Sequence, residues 1–422
     1  MSIAYDRLPP WLRLCVGAAR SLASNGRRSV AVVASLACGV SALCLIGGYY
    51  EYTYWGLAQS LIRSRYGHIE LYQKGYAEER DIDPFSRPLE RRDELLSILR
   101  ADPDVEAVAA RALAFGAARN PATGKTAVVE VRGVDPADEA AIFTFMTSKR
   151  GAGLTSRDAG SCQIAPILAE GLGLGLGDEV IVSAVDASGG YNAAALRVKT
   201  LVGSYSSEFD ALALQVPAAA FADLFGFDGA QEVAVLLKDG VGAERKLASL
   251  RRELGGRGFD LEYRLWYDEA AYFRQVLSYF QGYYRVVLLM AALLGFFVCA
   301  ATTSIALNER LREFGTRLGM GESRSRIVAS LALEAVLSGL AGLAAGAALS
   351  LAAAFAIGLA GGIPMSAAPG MSTSLRVLIR FSPQGAALST IVALAVPPLA
   401  LAFPARKVLR KSVVALLAKG RE

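Results

Sequence analysis

The stretch Asn308-Glu309-Arg310-Leu311-Arg312-Glu313-Phe314-Gly315-Thr316-Arg317-Leu318-Gly319-Met320-Gly321-Glu322-Ser323-Arg324-Ser325-Arg326 decides how this chain is read. It is basic and amphipathic, with Leu311, Phe314 and Leu318 spaced to share one helical face. Apolar runs lie on both sides, Val286 to Asn308 before it and Ile327 to about Leu359 after it. Two more runs follow the same pattern, Ser29 to Tyr50 near the start and about Ala386 to Phe403 near the end. Each is long enough to supply the roughly 20 residues that cross a bilayer as helix.

Working outward, Lys and Arg give the direction. Arg20, Arg27 and Arg28 precede the first run. Arg310, Arg312, Arg317, Arg324 and Arg326 separate the second from the third, and Arg406, Lys407, Arg410 and Lys411 follow the fourth. The positive-inside rule makes all three groups cytosolic, with both termini inside and Glu51 to Tyr284 outside. The expected order is a cytosolic or interfacial N-terminal helix at 1–28, span one at 29–55, an outer domain with stalk helices at 56–284 and span two at 285–308. A cytosolic helix at 309–326, span three at 327–360, a short outer loop at 361–385, span four at 386–404 and a cytosolic tail at 405–422 complete it. Tyr49, Tyr50, Tyr52, Tyr54 and Trp55 leave span one, and Tyr279, Phe280, Tyr283 and Tyr284 lead into span two, as an interfacial aromatic belt would. Ser35-Leu36-Ala37-Cys38 misses a lipoprotein box by one place, and the first run is too long for a cleavable signal.

Composition agrees. Hydrophobic residues make up 53% and charged residues 20%, with mean hydropathy +0.36, so lipid-facing and water-facing parts coexist. The net charge of +5 comes from Lys and Arg beside apolar runs, which does not point to nucleic acid. Of the five cysteines only Cys162 falls in the outer domain, which excludes an internal disulfide there. The lone histidine, His68, excludes a multi-histidine metal site. Inside span three, Glu334 lies about two turns from the cytosolic end, where an acid usually bonds to a neighbouring helix. Gly339, Gly342 and Gly346 permit close packing, and Pro397-Pro398 is expected to kink span four.

The outer domain reads as mixed α+β. Strands are expected at Val105 to Arg119, Thr126 to Val134, Glu179 to Val185, Arg197 to Ser204, Glu232 to Leu237 and Asp260 to Trp266. Helices are expected at Asp93 to Arg100, Ile164 to Leu172 and Ala243 to Leu254. The last of these with its two flanking strands makes a strand–helix–strand unit. Gly124-Lys125-Thr126 lacks the glycine a phosphate loop needs five residues earlier, where Arg119 stands. Gly171-Leu-Gly173-Leu-Gly175-Leu-Gly177 follows a helix and precedes a strand, the reverse of a dinucleotide fingerprint, so it reads as a helix stop and turn. No nucleophile elbow occurs.

The order of parts, and Glu309-Arg310-Leu311-Arg312-Glu313-Phe314-Gly315 with Gly321 beyond, resembles the permeases of the MacB/FtsX/LolC–LolE superfamily of ABC transporters. Phe314 stands where that family usually has Ile, and Arg317-Leu318 swaps its apolar-then-basic order. Glu334 resembles the acid early in the family's third span and Pro404-Ala405-Arg406-Lys407 the sequence ending its fourth, while Gly67-His68-Ile69-Glu70-Leu71-Tyr72-Gln73-Lys74-Gly75-Tyr76 and the Leu168-Ala169 to Gly177-Asp178-Glu179-Val180 segment are similar to LolE-like members. The resemblance implies a type VII ABC permease: four transmembrane helices and a large α+β periplasmic domain between spans one and two, in a bacterial inner membrane.

It further implies a coupling helix made by Glu309, Arg310, Arg312, Glu313, Phe314, Gly315, Arg317 and Gly321, gripped by MacB/LolD-type ATPase subunits. No Walker A loop is present, so ATP and Mg are expected on that separate chain, with no cofactor or metal here. A second permease, identical or not, and a periplasmic carrier or adaptor are the other implied partners beside membrane lipid. Tyr49, Tyr50, Tyr52, Tyr283 and Tyr284 are the candidate stalk or cargo-facing residues. The implied task is moving a lipidated or amphiphilic cargo such as a lipoprotein. The alternatives are FtsX-like activation of a periplasmic partner, or drug or peptide efflux with a membrane-fusion partner.

Overall fold

The computed structural model describes residues 26–80, 82–146, 148–204, 206–269, 271–366, 375–409 and 412–413. The interfacial helix expected at 1–28 and most of the tail at 405–422 lie outside these. The chain divides into two compact units. One comprises Met1–Thr53, Leu277–Ile363 and Arg376–Glu422, and the other Tyr54–Val276 and Pro364–Leu375.

The first unit is built from four long helices, Gly26–Leu61, Ala271–Glu309, Arg324–Leu359 and Pro383–Leu409. Each holds a segment long and apolar enough to cross a membrane. The first has 36 residues, about 54 Å by helical rise, against a hydrocarbon layer of about 30 Å. It therefore continues as helix beyond any lipid, ending in the wide turn Ile62–Tyr66. The second has 39 residues, and a one-turn helix Trp266–Glu269 precedes it.

Packing in this unit follows the small residues. A Cβ on Gly342 would come within 2.5 Å of the Leu36 Cβ, and one on Gly346 within 2.7 Å of the Ala37 carbonyl. The third helix thus meets the first backbone to backbone, as the sequence spacing of these glycines permits. Leu36, Cys299, Val396 and Ala400 form a buried cluster of the first, second and fourth helices. The fourth remains one helix through Pro397, Pro398 and Pro404.

The second unit holds ten strands in one continuous sheet. Strand β1 is Ile69–Gln73, β2 Val105–Arg119, β3 Thr126–Val134, β4 Ser148–Gly151 and β5 Ser161–Ile164. Strand β6 is Glu179–Val185, β7 Tyr191–Gly203, β8 Ala213–Pro217, β9 Glu232–Leu237 and β10 Leu261–Leu265. Two parts share β2. The order β10-β1-β9-β2, with helices Arg92–Ala101 and Ala243–Gly256 as crossovers, is a split βαβ, ferredoxin-like arrangement. Its core is Ile69, Leu71, Leu95, Leu99, Val235, Leu250 and Leu254 with their neighbours.

The other part is a closed barrel, inserted between the second and third strands of the ferredoxin-like order. It runs β2-β3-β8-β5-β7-β6 and returns to β2, because β6 pairs both β7 and the far end of β2. Closure leaves no edge on that ring, and β4 adds to β7 outside it. Cys162, Ile164, Val129, Val131, Val180, Val182, Phe221 and Phe225 fill it. Gly133 is required there, since a Cβ would strike the Phe221 ring.

Most strands occur where alternation put them, and several boundaries differ. The helix read from Ile164 begins at Pro166, because Ile164 closes β5 and Pro suits the first helical turn. The strand read from Arg197 begins at Tyr191, where pairing with β6 starts. The strand read to Trp266 stops at Leu265, and Trp266 opens a helical turn. The glycine-rich segment after Leu172 is a helix stop and turn as read, with Gly173 and Gly177 at φ 71° and 87°.

Candidate coupling site

Glu309 is the last residue of the second long helix and is exposed. The chain turns at Arg310 and re-enters a short helix, Leu311–Gly319, called the elbow from here on. Its sequence pattern sorts the side chains. Phe314 is wholly buried among Leu307, Leu311, Ile327, Leu331, Leu401 and Ala405. Gly315 is buried beside it. The apolar face of the elbow therefore rests on its own membrane unit, which leaves Arg312, Glu313, Thr316, Gly319 and Met320 facing outward. Met320 is 79% exposed.

Arg310 organises this region. Its Nε and Nη2 donate to the two oxygens of Glu313 at 2.7 and 2.9 Å, a bidentate pair. Its Nη1 donates to Glu334 Oε2 at 2.8 Å, and its guanidinium lies 5.4 Å from the Phe314 ring centre. The neighbouring helix that Glu334 was expected to bond is thus the elbow, held at Arg310, the residue that precedes its first turn. Arg317 donates from Nε and Nη2 to both oxygens of Glu322 at 2.7 and 2.9 Å, and lies 3.7 Å from Glu313. The bond from Arg310 holds Glu313 below the usual carboxylate range, and that from Arg317 does the same for Glu322. The pairs stay ionised at neutral pH.

Gly321, at φ 90°, takes the left-handed turn that ends this segment. Ser323 then caps the third long helix, its hydroxyl accepting from the Arg326 N–H. The basic stretch 309–326 is therefore not one helix, and Arg324 and Arg326 belong to the first turn of the next. Cations there oppose the helix dipole, so they do not serve helix stability.

At the other end of the helices the aromatic residues cluster. The Tyr50 ring lies 5.9 Å from Tyr49, 6.2 Å from Phe280, 6.5 Å from Tyr283 and 5.2 Å from Tyr284. Tyr50 and Tyr284 join the first two long helices, whereas Tyr279 and Tyr283 point outward, and Tyr52 is half-buried. Among the described residues no group of His, Cys, Asp and Glu could hold a metal.

Residues 285–413 match the model of the FtsX-like permease C-terminal family. They are an FtsX-like permease domain. The elbow, Glu334 and the last three long helices all lie within this permease domain. No curated protein matches the chain. Among solved structures, the periplasmic region of MacB from Actinobacillus actinomycetemcomitans is 14% identical, with TM-score 0.36, over 49% of this chain and 92% of that one. The extracellular domain of the noncanonic ABC-type transporter YknZ from Gram-positive bacteria is 19% identical, with TM-score 0.31, over 47% and 98%. A domain of a putative permease from Porphyromonas gingivalis is 17% identical, with TM-score 0.28, over 46% and 86%.

Sequence reading missed the Arg310–Glu334 pair. Its signal was faint: the two residues stand on either side of the Met320–Ser323 turn at comparable separations, as partners across an antiparallel pair do. It also offered Phe314 and Gly315 to a partner protein, though both are covered by this chain.

Proposed function

We propose that this chain is the membrane subunit of an ATP-driven ABC transporter in a bacterial inner membrane. An ATPase of MacB/LolD type, carried on another chain, grips the elbow from the cytosol. Two permease subunits pair over two ATPase copies, and closure of the ATPases on ATP pushes the elbows. The outer unit then shifts and hands a lipidated or amphiphilic cargo, such as a lipoprotein, toward a periplasmic carrier.

The observation that carries this reading is the three-way pairing of Arg310 with Glu313 and Glu334. A short helix on a flexible loop would absorb a push by bending. Here Phe314 is sunk into the membrane unit and Arg310 ties the elbow to the third long helix, so force on the outward face moves the helices behind it. Arg312, Glu313, Arg317, Met320 and Gly321 form the grip, while Arg310, Phe314 and Gly315 set its angle.

The test is co-purification of the ATPase with full-length chain from gently solubilised membranes. Replacing Glu313 and Arg317, or reversing Arg312 to Glu, is expected to lower recovery of the ATPase roughly tenfold or more with membrane insertion unchanged, the scale of losing one charged hot spot. Unchanged recovery would refute the grip.

A further inference from the structure

We propose that Arg111 is the joint of the outer unit, a positioning residue that seats the end of the first long helix between the ferredoxin-like sheet and the barrel. This rests on the reading above, in which force on the elbow moves the long helices and shifts the outer unit.

Arg111 stands where β2 changes partners. Residues 105–111 of β2 pair with β9, and residues 111–119 pair with β3. Its side chain has no exposure and heads the large, wholly buried side chains among the described residues. Nε and Nη2 donate to the two oxygens of Glu139 at 2.8 and 3.1 Å, on helix Pro136–Ile142 beside the barrel. Nη1 donates to Glu232 Oε1 at 3.0 Å, the first residue of β9. Nη1 also donates to the carbonyl of Arg65, inside the turn that closes the first long helix. One guanidinium thus holds all three elements.

The turn is pinned from both parts. The Arg63 carbonyl accepts from the N–H groups of Thr144 and Phe145 at 3.1 and 3.3 Å, next to the barrel. The Arg63 guanidinium donates to both oxygens of Glu106, on the sheet end of β2, at 3.0 and 2.9 Å. Carbonyls that a free helix end would leave to water are taken up by protein instead. Gly67 follows at φ 68°, so close to Val235 that a Cβ would lie 2.8 Å from its carbonyl oxygen, which bars the turn from slipping.

The charges at this seam balance. Arg65, Arg111 and Arg132 face Glu130, Glu139 and Glu232. The fourth acid, Glu70, is pushed upward by burial and then by Glu232, with Tyr72 donating to it at 2.6 Å. Apolar residues of similar volume would hold such a seam as firmly or more so. What the fork adds is a fixed angle and register between the parts it joins.

The test is residue-resolved hydrogen exchange on the full-length chain in lipid nanodiscs, with Arg111→Lys and with the charge-balanced pair Arg111→Met and Glu139→Gln. Lysine keeps the charge but cannot fork. In both proteins the amides of Gly67, Thr144 and Phe145 are expected to exchange roughly tenfold faster or more, which corresponds to about 1.4 kcal/mol of local opening. Barrel amides such as Val131 and Val182 are expected to keep their protection. Wild-type rates at Gly67, Thr144 and Phe145 would overturn the proposal. So would loss of protection throughout the unit in Arg111→Lys, which would make Arg111 a core strut and not a joint. No ATPase takes part, so failure here leaves the elbow test standing, and failure of the elbow test leaves this result intact.

Discussion

A guanidinium can hold two carboxylates at once because its donors form a rigid fork. Arg310 uses that property at the elbow, where it and Glu334 are only 14% and 17% exposed. Removing Arg310 strands the poorly hydrated Glu334 carboxylate, whereas removing Glu334 leaves Arg310 its pair with Glu313. A double-mutant cycle with Arg310→Met and Glu334→Gln, read by thermal unfolding in detergent, is expected to give a coupling energy of about 1–3 kcal/mol. Additive losses would mean that the pair does not hold the elbow.

His68 gives a second prediction at this scale. Its Nδ1 accepts from the Leu237 N–H at 3.0 Å, and burial, with Arg63 nearby, pushes its pKa down to about 4 against opposing pulls from Glu106 and Asp239. The unfolded imidazole titrates near the ordinary value of about 6.5, so between there and about 4 the unfolded chain binds a proton that the folded one refuses. The stabilisation is complete above about pH 6.5 and is lost as pH falls toward 4, at up to about 1.4 kcal/mol per pH unit. Urea midpoints of the outer unit in His68→Gln, which keeps an acceptor, should fall less steeply over that window. An unchanged slope would exclude His68 as the source. The sequence showed a lone histidine and an acid within a span, but not their partners, because Leu237 and Arg310 are brought to them by tertiary structure alone.

Elements were more legible than pairings. Alternation located β2, β3 and β6, a short apolar run located the wholly buried β9, and the 3.6-residue period located the elbow and helix Ala243–Gly256. The closed barrel was not legible. Of its other strands, β7 was read only from Arg197 and β5 and β8 have four and five residues, and closure depends on β6 reaching the far end of β2, a pairing no local pattern records. The breaks inside 309–326 were missed because Gly321 and Ser323 read as part of one basic stretch. Close packing of the third long helix was legible from its glycines, and it carries its own prediction. Gly342→Leu would drive a side chain into Leu36 and should lower the melting temperature of the membrane unit by several degrees, about 1–3 kcal/mol of overpacking. Unchanged melting would show that the first and third helices can separate freely there.

For the molecule as a whole, the proposal assigns the grip to the permease domain and the effector to the outer unit. Deleting residues 73–268 should therefore leave ATPase recovery as in wild type and abolish release of cargo, and retained release would refute an outer effector. The division into two units makes the deletion reasonable, because each has its own buried clusters. The direction of the whole arrangement rests on where the elbow lies. It is read most directly by a single cysteine at position 320, 79% exposed as Met320, in a chain with its five native cysteines replaced. A membrane-impermeant maleimide is expected to label it only after the inner membrane is opened. Labelling in cells whose inner membrane is intact would put the elbow on the side without ATP, and would contradict force entering there.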